Sequence, residues 1–287
     1  MLHTVPQHIE LDSLVDYCIN AYPMLGSRSA VKKAIFKEQL FLNDQPAKLN
    51  DRVTAGDRLM LQKQEVRRVR NIRVSLDVIF EDEYILVVNK PGGMAVNGLR
   101  DKTVENAVAG FNTRNKMADA LDRPIAVHRI DVPTSGLVVL AKTKSALIKL
   151  SEAFQKKRIE KEYSAVVHGK AAATGMIVED IEGKKSITEY QLIESVPSRV
   201  FGHLSLLNVK PLTGRTHQIR LHLKSKGHLI VGDKMYAERQ KTILGKGLLL
   251  CARKLKFKHP VTGEKIELEI PIPAKYHKVL DREKSRF

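Results

Sequence analysis

The stretch His128-Arg129-Ile130-Asp131-Val132-Pro133-Thr134-Ser135-Gly136, continued by the apolar run Leu137-Val138-Val139-Leu140-Ala141, organises the reading of this chain. If residues 126–131 are extended, Arg129 and Asp131 share a face, because side chains alternate along a strand. Pro133 biases Val132 away from helix, and Gly136 opens backbone angles closed to other residues. Asp131 is therefore expected at a strand-to-turn junction, with a buried strand leaving it. Taken alone, Asp-x-Pro-Thr-Ser-Gly is an ordinary turn sequence. The rest of the chain decides whether its carboxylate is chemical or incidental.

The 287 residues suffice for one large or two modest cores, and the formal net charge is +17. That charge is uneven. Residues 1–65 carry eight Lys/Arg and eight Asp/Glu, so the whole excess lies in residues 66–287. Phosphate neutralisation with counterion release makes a polyanion the natural partner of such a surface. No basic amphipathic segment with bulky apolar anchors points to a membrane surface. The two cysteines, Cys18 and Cys251, lie far apart in apolar surroundings. They read as buried thiols of a reducing compartment. The N-terminus lacks a basic region followed by an apolar core, and apolar runs such as Leu248-Leu249-Leu250-Cys251-Ala252 are of strand length. A cytoplasmic protein is expected.

Residues 10–63 read as a separate small module. Leu11, Leu14, Val15, Cys18 and Ile19 recur at helical spacing, with Asp12 or Ser13 at the helix start. A second helix over 27–37 places Ala30, Val31, Ala34 and Ile35 on one arc and Arg28, Lys32, Lys33 and Lys37 on the other. Two short strands follow, within 40–45 and 54–61. Residues 64–73 form a basic linker. Beyond it strands dominate: 84–89, 137–141, 162–167, 203–207, and a hairpin in which Lys254, Lys256 and Lys258 alternate with Leu255 and Phe257, and Ile266, Leu268, Ile270 and Ile272 alternate with charges. Helices are expected at about 103–111, 144–157 and 216–226. With no regular βαβ alternation, the class is α+β around a large mixed or antiparallel sheet.

Nucleotide-binding glycine loops are absent, Ser135 lies in no nucleophile elbow, and His217, His222 and His228 lack the partners of a metal site. Ordinary side chains must supply the chemistry, without metal or cofactor. Residues 213–228 start a helix at a Thr216 N-cap, with Ile219 and Leu223 as its apolar stripe and Arg220 turned inward beside Ile219. Arg215, His217, Gln218 and Arg220 concentrate donors at its start, which suits a carboxylate, a phosphate or a base edge. A strand over Glu160-Lys161-Glu162-Tyr163 puts Lys161 and Tyr163 on one face.

Together these segments resemble the RluA-type pseudouridine synthases over nearly the whole chain. The resemblance runs through Asn89-Lys90-Pro91-Gly92-Gly93, His128–Leu137, Lys161-x-Tyr163, Thr213–Tyr236 and the Leu250–Pro260 close. Residues 1–63 resemble the S4 RNA-binding module, with Ser27-Arg28 opening the basic helix and Gly56-Asp57-Arg58-Leu59 closing it. Glu38-Gln39 stands where that module has a turn glycine. The resemblance implies a small S4-like (αL) domain over 1–63, the linker, and a catalytic domain over 74–287. That domain would be a large mixed, mostly antiparallel sheet with a central cleft. The implied reaction converts the N–C1′ link of a uridine in structured RNA to C5–C1′. Asp131 is then the essential carboxylate, attacking C1′ or removing a ribose proton. Arg220 is its guanidinium partner, and Tyr163 lies against the uracil as a candidate for proton transfer at C5. Arg129 fills the space of the extruded nucleotide, Ile219 packs on the target base, and Arg28, Lys32 and Lys33 hold RNA. Val132-Pro133 and Asn97 depart from the pattern at positions facing the RNA.

Large-subunit rRNA is the expected substrate, tRNA the second, and a single copy the working unit. The competing class is a noncatalytic RNA-binding or ribosome-assembly factor, which has no need of Asp131, Tyr163 and Arg220 together. A glycosidic hydrolase would need a second carboxylate beside Asp131, and none is near it in sequence.

Overall fold

The computed structural model describes residues 1–7, 13–22, 25–62, 75–98, 101–112, 115–237 and 245–287. The expected linker 64–73, Leu11 and the alternative helix start Asp12 lie outside the described residues. The chain divides into two compact units, Met1–Val69 and Arg70–Phe287.

In the first unit, β1 (Leu2–Thr4), α1 (Leu14–Ala21), α2 (Arg28–Phe36), β2 (Leu40–Leu42), β3 (Gln45–Pro46) and β4 (Arg58–Leu61) follow in order. The strands form a four-stranded sheet in the order β1-β4-β2-β3. β1 had no signal strong enough to be expected. The helices bury Leu14, Val15, Cys18, Val31, Ala34 and Ile35 against Leu40 and Leu59, while Arg28, Lys32, Lys33 and Lys37 stay exposed. The Ser27 hydroxyl accepts from the Ala30 amide and caps α2. At the other end Glu38 adopts a left-handed φ of 52°. The Glu38 amide donates to Ile35 and the Gln39 amide to Ala34, which completes a Schellman cap without its glycine.

The second unit comprises β5 (Asp77–Glu81), β6 (Ile85–Lys90), α3 (Val104–Ala107) running into a 3-10 turn, β7 (Ala120–Ala126) and β8 (Ser135–Thr143). Then follow α4 (Lys144–Gln155), β9 (Glu160–His168), β10 (Thr174–Ile181), β11 (Lys184–Ser198) and β12 (Gly202–Pro211). α5 (Gln218–Ser225), β13 (Leu250–Lys258), β14 (Lys265–Glu269) and α6 (Ala274–Ser285) complete it. Ten strands form one sheet, ordered β10-β11-β12-β9-β13-β8-β6-β5, with β14 on β13 and β7 on β8. All pairings are antiparallel except β13 with β8. This is an α+β fold on a large mixed, mostly antiparallel sheet.

β6 and β8 are buried on both faces, which is why their sequences run apolar without alternation. Leu137 and Val139 join one core, with Tyr276, Val279 and Leu280 of α6, while Val138 and Leu140 join another. α6 was not expected, although Tyr276, Val279, Leu280 and Glu283 follow a helical spacing. On the hairpin, Lys254 pairs with Glu267 at 2.7 Å and Glu269 at 3.1 Å, and Lys256 pairs with Glu267 at 3.1 Å.

Two contacts position the site. Cys251 pairs with Ser135 and Ala252 with Gly136, so the strand leaving the Asp131 turn crosses β13 where β13 also pairs Ala252 with Tyr163. Gly136 has a φ of 116°, and a Cβ there would lie 2.2 Å from the Ala252 carbonyl oxygen. No other residue fits that crossing.

Candidate active site

Residues 127–134 are not a strand. β7 ends at Ala126 and the chain bends before β8, so Arg129 and Asp131 are not placed by strand alternation. Long-range contacts hold the bend instead. His128 Nε2 accepts from the Val139 amide at 3.0 Å, and its ring stacks on Phe154 at 4.3 Å. Burial pushes its pKa down to about 3, which keeps that nitrogen a free acceptor. Beneath the turn, the Gly93 amide donates to the Val132 carbonyl at 2.7 Å.

The fully buried Lys90 ammonium donates to the carbonyls of Pro91, Met94 and Val132, at 3.0, 2.8 and 3.2 Å. A charge with all its protons engaged can be buried at tolerable cost. Burial still brings its pKa down to about 8, against the opposing pull of Asp131. Lys90 thus ties the Lys90–Met94 turn to the residue after Asp131. Sequence reading had given it no role, although a lysine ending an apolar strand before Pro-Gly-Gly was its available signal.

Asp131 opens onto a cavity of about 430 Å³ also lined by Arg129, Tyr163, Arg215, Ile219 and Arg220. Arg220 Nη1 donates to Asp131 Oδ2 at 3.3 Å, and His217 Nε2 lies 3.8 Å from Oδ1. The guanidinium has a second carboxylate partner, one that sequence reading missed. Arg220 Nε and Nη2 donate to Asp233 at 2.7 and 2.8 Å, and both side chains are buried, 4% and 1% exposed. A buried guanidinium needs such a partner, and the fork geometry fixes its plane. The Gly232-Asp233 turn of the 213–236 segment was its signal.

Tyr163 forms one wall, half-buried on β9 beside Lys161. Burial, reinforced by the charge of Asp131, pushes its phenol above the usual range, so it remains a neutral donor at the reaction pH. Ile219, 7% exposed, supplies an apolar surface from α5. Among the described residues, the buried Nε of Arg215 has no hydrogen-bond partner. Arg129 is exposed on the rim.

Three expectations change. The N-cap of α5 is His217, not Thr216, and it takes a left-handed φ of 54°. This strained backbone swings its ring toward Tyr236, whose hydroxyl lies 2.7 Å from Nδ1. Gln218 lines the cavity but its amide is committed. It donates to Ile187 O and Thr188 Oγ1 at 2.9 and 3.0 Å and accepts from Thr213 Oγ1 and the Arg215 amide at 2.7 and 3.0 Å. It braces the floor and has no group left for substrate. In the first unit, Arg28 spends its guanidinium on Asp16 at 2.6 and 2.5 Å, whereas Lys32 and Lys33 remain exposed.

A wider groove of about 830 Å³ lies between the Asp82–Tyr84 turn and the His259 turn. Two contacts line it, Lys142 with Glu81 at 2.7 Å and His259 Nε2 with Asp82 at 2.9 Å.

A carboxylate, a neutral phenol and a braced guanidinium around an apolar wall define a site for acid–base or nucleophilic work on a flat polar ring. Comparison with known proteins gives that class a name. The sequence pattern of the RNA pseudouridylate synthase family matches residues 84–225. A Chlorobaculum parvum protein described as an uncharacterized RNA pseudouridine synthase is 33% identical over 89% of both chains. Ribosomal large subunit pseudouridine synthase C of Rickettsia bellii is 30% identical, covering 92% of this chain and 95% of its own. Ribosomal large subunit pseudouridine synthase D of Salmonella typhimurium is 32% identical, over 91% and 87%. In fold, the chain is similar to Human RNA Pseudouridylate Synthase Domain Containing 4, with a TM-score of 0.58, 24% identity, and 72% and 92% of the two chains covered. This chain belongs to the RluA-type RNA pseudouridine synthases and is an enzyme of that kind. Among the described residues, no helix is long and apolar enough to cross a membrane.

Proposed function

We propose that this enzyme isomerises a uridine of large-subunit rRNA, with Asp131 as its reaction centre. The observation that carries the proposal is the placement of Asp131 in a cavity between the Arg220 guanidinium and the Tyr163 wall. The reaction breaks N1–C1′, turns the freed uracil, joins C5 to C1′, moves a proton to N1 and removes the one from C5. No atom is gained or lost. Asp131 is positioned either to attack C1′ or to take a ribose proton, and Arg220 orients it through the 3.3 Å contact to Oδ2. The neutral Tyr163 phenol sits against the ring, where a proton leaves C5. Ile219 packs on the uracil, Arg215 and His217 meet its oxygens or a flanking phosphate, and Arg129 takes the place of the extruded nucleotide.

Residues 1–63 act as an S4-like RNA-binding domain joined by the 64–73 linker to the catalytic domain over 74–287. Its exposed Lys32 and Lys33 supply the phosphate contacts. Support for rRNA as the substrate comes from the large-subunit names of the Rickettsia bellii and Salmonella typhimurium relatives, and from the +17 net charge. The enzyme works as a monomer in the cytoplasm, without a cofactor.

Mapping pseudouridines in rRNA and tRNA, with and without the gene, tests this reading. Loss of a single large-subunit site is expected. Loss confined to tRNA would replace the substrate, and an unchanged map would reject it.

A further inference from the structure

Two side chains face the Asp131 carboxylate from α5, and each is held from behind by the same short turn. Arg220 reaches Oδ2, and Asp233 grips the other edge of its guanidinium at 2.7 and 2.8 Å. His217 Nε2 faces Oδ1 at 3.8 Å, and the Tyr236 hydroxyl lies 2.7 Å from its Nδ1. The holders are three residues apart and tied together. Asp233 Oδ1 accepts from the amides of Met235 and Tyr236 at 3.2 and 3.3 Å, and the Ala237 amide donates to the Asp233 carbonyl at 3.1 Å. The Arg220 guanidinium also lies over the Tyr236 ring, 4.8 Å from its centroid.

We propose that the Asp233–Tyr236 turn positions the Asp131 carboxylate, aiming Arg220 through Asp233 and His217 through Tyr236. The inference rests on the reading of Asp131 as the reaction centre. Arg220 alone could swing about its long stem. With Nε and Nη2 held by Asp233, the guanidinium plane is fixed and Nη1 points at Asp131. The left-handed backbone of His217 turns its ring out of the helix line, and Tyr236 then fixes that ring. The Tyr236 hydroxyl at Nδ1 holds the ring so that Nε2 faces Oδ1. At 3.8 Å the ring nitrogen stands at charge-contact distance from Oδ1, next to the carboxylate it flanks. Tyr236 and Asp233 touch neither base nor ribose in this scheme. They are positioning residues, acting on the aim of the carboxylate and not on affinity.

The test measures tritium release from [5-³H]uridine in protein-free large-subunit rRNA. Tyr236→Phe removes the hydroxyl and keeps the ring. It is expected to lower kcat roughly 10- to 100-fold, the scale of a small misplacement of a reacting group, with KM within about twofold. The double variant with His217→Gln should be no slower than His217→Gln alone, because both break one arm. Asp233→Asn should also lower kcat; since it disturbs a buried pair, the Tyr236 variant carries the decision. Independently of turnover, ¹⁵N-histidine NMR should show the His217 Nδ1 resonance, assigned by its loss in His217→Gln, moving in Tyr236→Phe. A wild-type kcat for Tyr236→Phe, multiplicative effects of the two substitutions, or an unmoved Nδ1 resonance would each overturn the inference. Asp131→Asn is run alongside. Its full activity would reject the underlying reading, whereas its inactivity with a wild-type Tyr236→Phe rejects the positioning role alone.

Discussion

Arg220 makes its two shorter hydrogen bonds to Asp233, at 2.7 and 2.8 Å, and reaches Asp131 with a single nitrogen at 3.3 Å. The guanidinium is thus anchored on one carboxylate and presented to another. The anchored edge is buried, and the presented edge faces the cavity carboxylate, which is 22% exposed. One arginine thus joins two aspartates, one buried with it and one facing the cavity.

Asp131→Asn preserves the shape of the side chain and removes its charge. Isomerisation should fall below detection, because an amide neither attacks C1′ nor takes a proton. RNA affinity should stay within about threefold, since one neutralised carboxylate among many phosphate contacts changes little. Filter binding and tritium release measure the two halves; a turnover near wild type would remove Asp131 from the reaction.

Arg220→Ala leaves the buried carboxylate of Asp233 without its partner. Breaking such a pair costs about 3–5 kcal/mol, so the catalytic unit should unfold at markedly lower urea. Arg220→Lys keeps the charge but not the fork, and should recover part of the stability with little of the activity. Urea titrations beside turnover assays separate the two effects.

His128 gives a pH dependence of defined sign. Its folded pKa, about 3, lies below the ordinary 6.5, so between these values the unfolded chain binds a proton that the folded chain refuses. Stability contributed by the neutral ring is complete above about 6.5 and drains away as pH falls toward 3. His128→Gln keeps an acceptor for the Val139 amide without titrating there. Its urea midpoint should fall less steeply from pH 7 to pH 4 than that of the wild type; parallel slopes would count against a buried neutral His128.

Lys32 and Lys33 are exposed on α2, and neither belongs to the catalytic cavity. Lys32→Glu with Lys33→Glu should weaken binding to structured RNA. It should also reduce the slope of log K against log salt by roughly two, about one for each lost phosphate contact. Equal salt slopes for the two proteins would make the first unit a bystander.

Glu38 closes α2 in a left-handed conformation at φ 52°. Glu38→Gly should stabilise the first unit by about 0.5–1 kcal/mol, the balance of relieved strain and added chain entropy. Differential scanning calorimetry reads the gain, and a lowered transition would contradict it.

What the sequence determined by itself was local. Unbroken apolar runs marked β6 and β8 because both faces of those strands are buried. Alternating Lys and Ile/Leu marked the β13–β14 hairpin, and the two-arc pattern with Ser27 marked α2. Asp131, Tyr163 and Arg220 were singled out by the family resemblance, and the structure brings the three to one cavity. Tertiary structure decided the rest. Asp131 sits in a bend held by Lys90 and His128, not on a strand. Asp233 anchors Arg220, Gln218 is consumed within the fold, and Tyr236 takes hold of His217. Each of these is a contact between segments that periodicity treats as independent. Arg220 and Asp131 are 89 residues apart in the chain. Side-chain alternation and helical spacing extend only over a few neighbours, whereas the direction of a hydrogen bond is set by which strands cross. Here β8 runs parallel to β13 at Gly136 and Ala252, and Ala252 also pairs with Tyr163.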